Sequence, residues 1–233
     1  MWILHRTFSI LWDMETRNLL KDKDIREPLF TYLEERYGKV RIFEEKNIGM
    51  NSRADVFLVL EDRLVGIEIK SDADSYTRLA GQVEDYDRCF DENIVVVGST
   101  HGAHIEQHVP MHWGILTVEQ DENGRCDFYI LREPQKNPNL KMTEKIRLLW
   151  RPELANIQAR HDLFKYPGKS KLFVQEYLIK TLEPDLLHRE ISHELFERDY
   201  TKIHDTINEY RTAHGAQPRR RRKRRKRKKR TTA

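Results

Sequence analysis

Apolar positions recur every four residues from Ile25 through Leu29 and Leu33 to Tyr37, and Gly38 ends the run. That spacing predicts a helix over 24–37. Asp24 and Glu27 stand at capping-box spacing, with Pro28 still in the first turn. Residues 40–44 read as a short strand and 47–51, with Gly49, as a loop. Two apolar runs, 55–60 and 64–70, flank the polar Glu61-Asp62-Arg63, the pattern of two antiparallel strands joined by a tight turn. Asp72 and Asp74 offer an N-cap to a helix reaching Phe90, whose buried stripe is Leu79, Val83, Tyr86 and Phe90. Residues 93–98 form a nearly all-apolar run, as in a strand covered on both faces. Strand, helix, strand is a βαβ unit, so 64–70 and 94–98 are expected to be parallel, with a right-handed crossover. A short helix at 103–108, a strand at 114–118 and an edge strand at 128–131 complete an α/β fold, an αβββαβ core around a mixed sheet.

From residue 141 the strand pattern stops. Residues 144–150, 152–163, 171–182, 185–197 and 200–212 read as helices, broken at Pro167-Gly168 and Glu183-Pro184. The chain is therefore read as an N-terminal extension over 1–23, a sheet domain over 24–135, a C-terminal helical appendage over 141–213 and a basic tail over 214–233. No window approaches the eighteen or so apolar residues of a membrane span. His5 and Arg6 interrupt the apolar patch of Trp2, Ile3, Leu4 and Phe8, and no small-residue cleavage site follows, which argues against a signal peptide. That patch is an extra helix or, if translation starts at Met14, a non-native extension. Cys89 and Cys126 make no disulfide framework or Cys-x-x-Cys pair and suit a reducing compartment. The expected location is the cytoplasm, or the nucleus in a eukaryotic host.

Charge divides the chain. The net charge is +4, yet Arg219, Arg220, Arg221, Arg222, Lys223, Arg224, Arg225, Lys226, Arg227, Lys228, Lys229 and Arg230 are consecutive cations. Without them 30 basic residues face 38 acidic ones, an acidic body near −8. The tail has nothing to bury, is expected to be disordered and seeks polyanions. If all its cations met phosphate, log K would fall with log salt at a slope of roughly −10, without sequence preference. An RNA-binding tail and a nuclear address fit the same run.

The chemistry concentrates between residues 52 and 86. Glu68 and Lys70 lie two apart on one strand and share a face, while Ile67 and Ile69 point to the other. An isolated Glu-x-Lys is ordinarily a solvated surface pair. This one leads into a crossover helix, which places its strand inside the sheet, where unpaired ions cost several kcal/mol each. Asp55 opens the neighbouring strand at the same end. Two carboxylates there suit a hard divalent cation such as Mg²⁺. Gln82 and Tyr86, four apart, share a helix face beside the core stripe. His101, His104, His108 and His112 invite a zinc reading, but no zinc motif surrounds them.

Ala54-Asp55, twelve residues, then Glu68-Ile69-Lys70 resembles the signature of the PD-(D/E)XK nuclease superfamily. Gln82-Val83-Glu84-Asp85-Tyr86 resembles the Gln-x-x-x-Tyr motif of its RecB-like branch. More narrowly, residues 24–119 resemble a family of small, poorly characterised bacterial and phage proteins assigned there. Ala54 replaces the name-giving proline. The resemblance implies a restriction-endonuclease-like fold and Mg²⁺-dependent hydrolysis of DNA, with Mn²⁺ as a substitute and RNA as a possible second polymer. It makes Asp55 and Glu68 metal ligands, with the Ile69 carbonyl as a further one, and Lys70 the group that orients water or stabilises the transition state. Gln82 and Tyr86 would touch the lysine or a phosphate; core packing also accounts for Tyr86. Glu27 is the candidate acidic residue from the first helix, although capping also accounts for it. The helical appendage would shape the substrate groove or dock a protein partner. The alternative is a catalytically silent nucleic-acid-binding protein of the same fold acting through its tail.

Overall fold

The computed structural model describes residues 20–48, 52–72, 74–98, 102 and 104–213. Residues 1–19 of the expected 1–23 extension, His101 and the whole basic tail lie outside the described residues.

Six strands lie in chain order across one sheet: β1 (Arg41–Ile48), β2 (Ser52–Val59), β3 (Leu64–Lys70), β4 (Glu92–Gly98), β5 (Gly114–Gln120) and β6 (Cys126–Arg132). β1–β2, β2–β3 and β5–β6 pair antiparallel, whereas β3–β4 and β4–β5 pair parallel. The sheet is mixed, as the apolar runs predict, and every residue of β3 is buried. The tight turn closes through the Leu60 N–H donating to the Arg63 carbonyl at 2.9 Å.

Helix α1 (Asp22–Tyr37) covers one face. Its Ile25, Leu29 and Leu33 pack on Val56, Leu58, Val65, Ile67, Ile69, Val96 and Val118. It starts two residues earlier than the spacing suggests, and its cap is Lys21, whose N–H donates to the Asp24 carboxylate at 3.3 Å. The expected Asp24–Glu27 box is thus displaced by one turn, and Pro28 falls inside the helix. Proline has no N–H for the Asp24 carbonyl. The Cys126 thiol donates to that oxygen instead, at 3.6 Å.

The other face carries α2 (Leu79–Cys89), preceded by a 3₁₀ turn at Tyr76–Arg78. The expected stripe of Leu79, Val83, Tyr86 and Phe90 is buried. Gly66 makes room for it: a Cβ there would stand 2.3 Å from the Phe90 ring and 2.7 Å from that of Tyr86. The expected caps do other work. Asp74 accepts the Ser71 N–H and hydroxyl at 2.9 and 2.7 Å, and Asp72 accepts the Leu20 N–H at 3.3 Å. Asp74 thus ties down the chain leaving β3 and Asp72 the chain entering α1, and α2 begins later, at Leu79. The helix expected at 103–108 is a 3₁₀ turn, Ile105–Gln107.

The C-terminal helices are α3 (Met142–Lys145, extended by a 3₁₀ turn at Ile146–Leu148), α4 (Arg151–Arg160), α5 (Lys171–Thr181), α6 (Pro184–Phe196) and α7 (Tyr200–Ala213). They lie on the α2 side. Ile146, Leu154, Ile157, Val174, Leu178, Leu187, Ile191 and Leu195 join Phe43, Phe57, Val95 and the α2 stripe in one continuous core. The core therefore runs without interruption across residues 135–141. Among the described residues no helix is long and apolar enough to cross a membrane.

Candidate functional site

The β2–β3 ladder runs from Val59↔Leu64 to Val56↔Ile67 and stops there. Side chains take over the bridging. The Tyr86 hydroxyl accepts the Asp55 N–H at 3.0 Å and donates to the Ile67 carbonyl at 3.1 Å. The Asp55 carboxylate accepts the Ile69 N–H at 3.0 Å. Opposite, Glu45 of β1 adopts φ 54°, in the left-handed region, and the β1–β2 register omits the Glu45–Asp55 pair. A non-glycine residue held there carries backbone strain that its surroundings must impose. The strands are thus splayed at Asp55, with α2 supplying the wedge. Tyr86 is fully buried, so the core role and a site role coincide in one side chain. Burial, then the charges of Glu68 and Asp55, push its hydroxyl well above the ordinary tyrosine value.

Glu68 and Lys70 point into this opening, 1% and 5% exposed. The Lys70 ammonium donates to Glu68 Oε1 at 2.7 Å and to Gln82 Oε1 at 2.9 Å, and Gln82 Nε2 donates to Glu68 Oε1 at 2.5 Å. All three bonds leave Glu68 Oε2 buried with no hydrogen-bond partner. Asp55 is nearby and its carboxyl is pushed up to about 7. Burial is the main cause and the Glu68 charge the next, only partly offset by the Ile69 N–H, Arg26 and Lys70. An unpartnered buried carboxylate oxygen beside a second, destabilised carboxylate is an electrostatic arrangement that a cation relieves.

Helix α1 sends Arg26, not Glu27, to this place. The Arg26 guanidinium donates to the Asp55 carbonyl at 3.1 Å and stands 3.8 Å from its carboxylate. Glu27 is exposed, and among the described residues no hydrogen bond or ion pair joins it to Asp55, Glu68 or Lys70. Helical phase is the reason. From the mid-line of Ile25, Leu29 and Leu33, Arg26 lies about 60° away, whereas Glu27 lies about 160° away, facing solvent. Sequence reasoning missed Arg26 although this angle was available to it.

The structure brings together Asp55, Glu68, Lys70, Gln82 and Tyr86. Ile69 contributes its N–H, and its side chain lies in the core of the opposite face. The histidines separate: His108 stacks on Tyr76 at 4.3 Å between centroids, and His112 bonds to Asp87 at 3.0 Å. Among the described residues, counting ion-paired neighbours, the carboxylates of Asp22, Glu44, Glu45, Asp55 and Glu68 face only the cations of Arg26, Arg53 and Lys70. The surplus is negative. Among the described residues no three His, Cys, Asp or Glu side chains converge as a metal cage. Two carboxylates with remaining positions left to water or phosphate oxygen is the donor set that Mg²⁺ accepts.

Fold and site define a class: an α/β protein with a mixed six-stranded sheet in which β2 and β3 part around a buried Glu68–Lys70 pair bonded to half-buried Gln82. The family described as Bacteriophage P4 protein cII matches residues 15–220, and the chain belongs to that family. No curated protein matches the sequence significantly. Among solved structures, a protein of unknown function from Silicibacter pomeroyi is similar at a TM-score of 0.42 and 18% identity, over 62% of this chain and 94% of that one.

Proposed function

We propose that the protein is a Mg²⁺-dependent nuclease that hydrolyses DNA phosphodiester bonds, with Mn²⁺ able to replace Mg²⁺. One observation carries the reading: Glu68 is buried beside Lys70 and Gln82 with a free oxygen, next to Asp55, at the point where β2 leaves β3. The resemblance to the PD-(D/E)XK superfamily supports it, since the same residues carry the motif. Asp55 and Glu68 would hold the cation, joined by the Ile69 carbonyl. A divalent ion there supplies Lewis acidity toward a phosphate.

The chain's own groups have separable tasks. Glu68 and Gln82 hold the Lys70 ammonium at a fixed point, from which it donates to an attacking water or to a phosphate oxygen gaining charge. Gln82 touches both members of the pair and sets their relative position. Tyr86 and Arg26 fix the backbone of Asp55 on its two sides, so its carboxylate is pre-organised. The basic tail raises the local concentration of polyanion.

The test is cleavage of plasmid and single-stranded DNA with Mg²⁺ or Mn²⁺. Asp55→Asn and Lys70→Ala are each expected to lower kcat by roughly 10²-fold or more. Cleavage that survives both substitutions, or that persists in EDTA, overturns the reading in favour of a silent binding protein or a contaminant.

A further inference from the structure

Next to the site, cations crowd together among exposed aromatic rings. Lys46 of β1 pairs with Ala54, the residue before Asp55, and its ammonium lies 5.6 Å over the Trp150 ring. Lys171, at the start of α5, donates to the Arg147 carbonyl at 2.9 Å. Burial, then Arg198 and Lys171, hold the Lys46 ammonium below its ordinary value. For Lys171 burial again leads, with Arg147 and Arg198 adding to it and Glu153 opposing.

The acidic groups nearby are already engaged: Glu153 takes Arg198 at 2.6 Å and Glu144 takes Arg147 at 2.9 Å. Among the described residues Lys46, Lys169 and Lys171 have no carboxylate in ion-pair range. Phe164, before α5, and Phe173, in its first turn, are 67% and 37% exposed and pack on Tyr166 at 4.7 and 5.0 Å between centroids. The Lys169 ammonium lies 5.3 Å over the Phe173 ring. Uncompensated like charges gather at one surface only against a cost, and a polyanion removes it. Rings that stand out between those charges offer platforms for unpaired bases.

We propose that Lys46, Arg147, Lys169 and Lys171, with Phe164 and Phe173, form a binding surface for single-stranded nucleic acid that leads toward Asp55 and Glu68. Phosphates meet the cations and bases stack on the rings. A duplex hides its base faces and gains only the charge contacts. The surface belongs to the folded body and acts independently of the tail. It adds a substrate form to the nuclease reading, but its test measures binding in EDTA and requires no cleavage, so the two fail separately.

Lysine acetylation of the full chain is compared with and without a short oligothymidylate in EDTA. Lys46, Lys169 and Lys171 are expected to be protected several-fold, and much less by a duplex of equal length. Phe164→Ala and Phe173→Ala, both at exposed positions, are each expected to weaken oligothymidylate binding by roughly fivefold or more. Protection confined to the tail lysines, equal protection by duplex or by polyglutamate, or unchanged affinity in both phenylalanine variants overturns the proposal.

Discussion

Asp55 and Asp91 are both aspartates sunk at the ends of central strands, with side chains 23% and 14% exposed, yet their carboxyls are driven in opposite directions. Asp91 accepts the Leu64 N–H at 2.7 Å and the Lys145 ammonium at 2.6 Å, and lies 3.1 Å from His188 Nδ1. Burial alone would raise its pKa, but the bonds from His188 and Lys145 outweigh that and hold it below the ordinary value. Asp55 has one N–H bond to its carboxylate, a guanidinium at 3.8 Å and a like charge beside it, and it is held near 7. Similar burial with unequal satisfaction separates the two carboxylates. The Asp91 cluster fastens α3 and α6 to the sheet. The Asp55–Glu68 cluster lacks such compensation, which is why the proposed cation site is placed there.

Breaking the satisfied cluster has the largest expected effect. Lys145→Ala leaves Asp91 buried without its cation, and denaturant unfolding is expected to show a loss of about 3–5 kcal/mol. Tyr86→Phe comes next. It strands the Asp55 N–H and the Ile67 carbonyl at the splay, an expected loss of about 1–3 kcal/mol, and divalent-ion affinity is expected to fall with it. A full loss of stability without any change in affinity would reduce Tyr86 to core packing. Asp55→Asn sharpens the comparison, because its sign is reversed: removing the charge is expected to raise stability by about 1 kcal/mol at pH 8 while abolishing cleavage. Asp91→Asn is expected to destabilise.

A tilt with pH reads the same charge without any substitution. The folded-state carboxyl of Asp55 lies near 7 against an ordinary value of 3.8. Its contribution to stability is therefore present in full below about pH 4 and is lost as pH rises through 7. Asp91, depressed, contributes in the opposite sense: its stabilisation is present above the ordinary carboxylate range and is lost as pH falls through its lowered one. Melting between pH 5 and 8 is expected to show the Asp55 limb in the wild type and a flattened one in Asp55→Asn.

The strands were legible because their signals are local. Leu64–Lys70 falls where the apolar run and the Glu61–Arg63 turn place it, and the α2 stripe follows from its four-residue spacing. Asp55, Glu68, Lys70 and Gln82 were legible through residue type, spacing and resemblance. What escaped depends on partners far along the chain. Lys145 and Arg198 look like surface cations in sequence, and only folding places them against Asp91 and Glu153, 54 and 45 residues away. Asp72 and Asp74 have the composition of caps, but Asp72 takes the Leu20 N–H ahead of α1 and Asp74 the Ser71 N–H and hydroxyl. The unbroken core under the C-terminal helices has the same origin. Val174, Leu187 and Ile191 mark ordinary amphipathic faces, and nothing local says that they cover the sheet.

Calorimetric titration of the full chain with Mg²⁺ at pH 6 and pH 8, beside Asp55→Asn and Glu68→Gln, tests the central claim most directly. The account predicts binding in the wild type that tightens as pH rises through about 7, because the cation must displace the Asp55 proton, and that is lost in both variants. Binding of equal strength at the two pH values, or binding that survives either substitution, would contradict it.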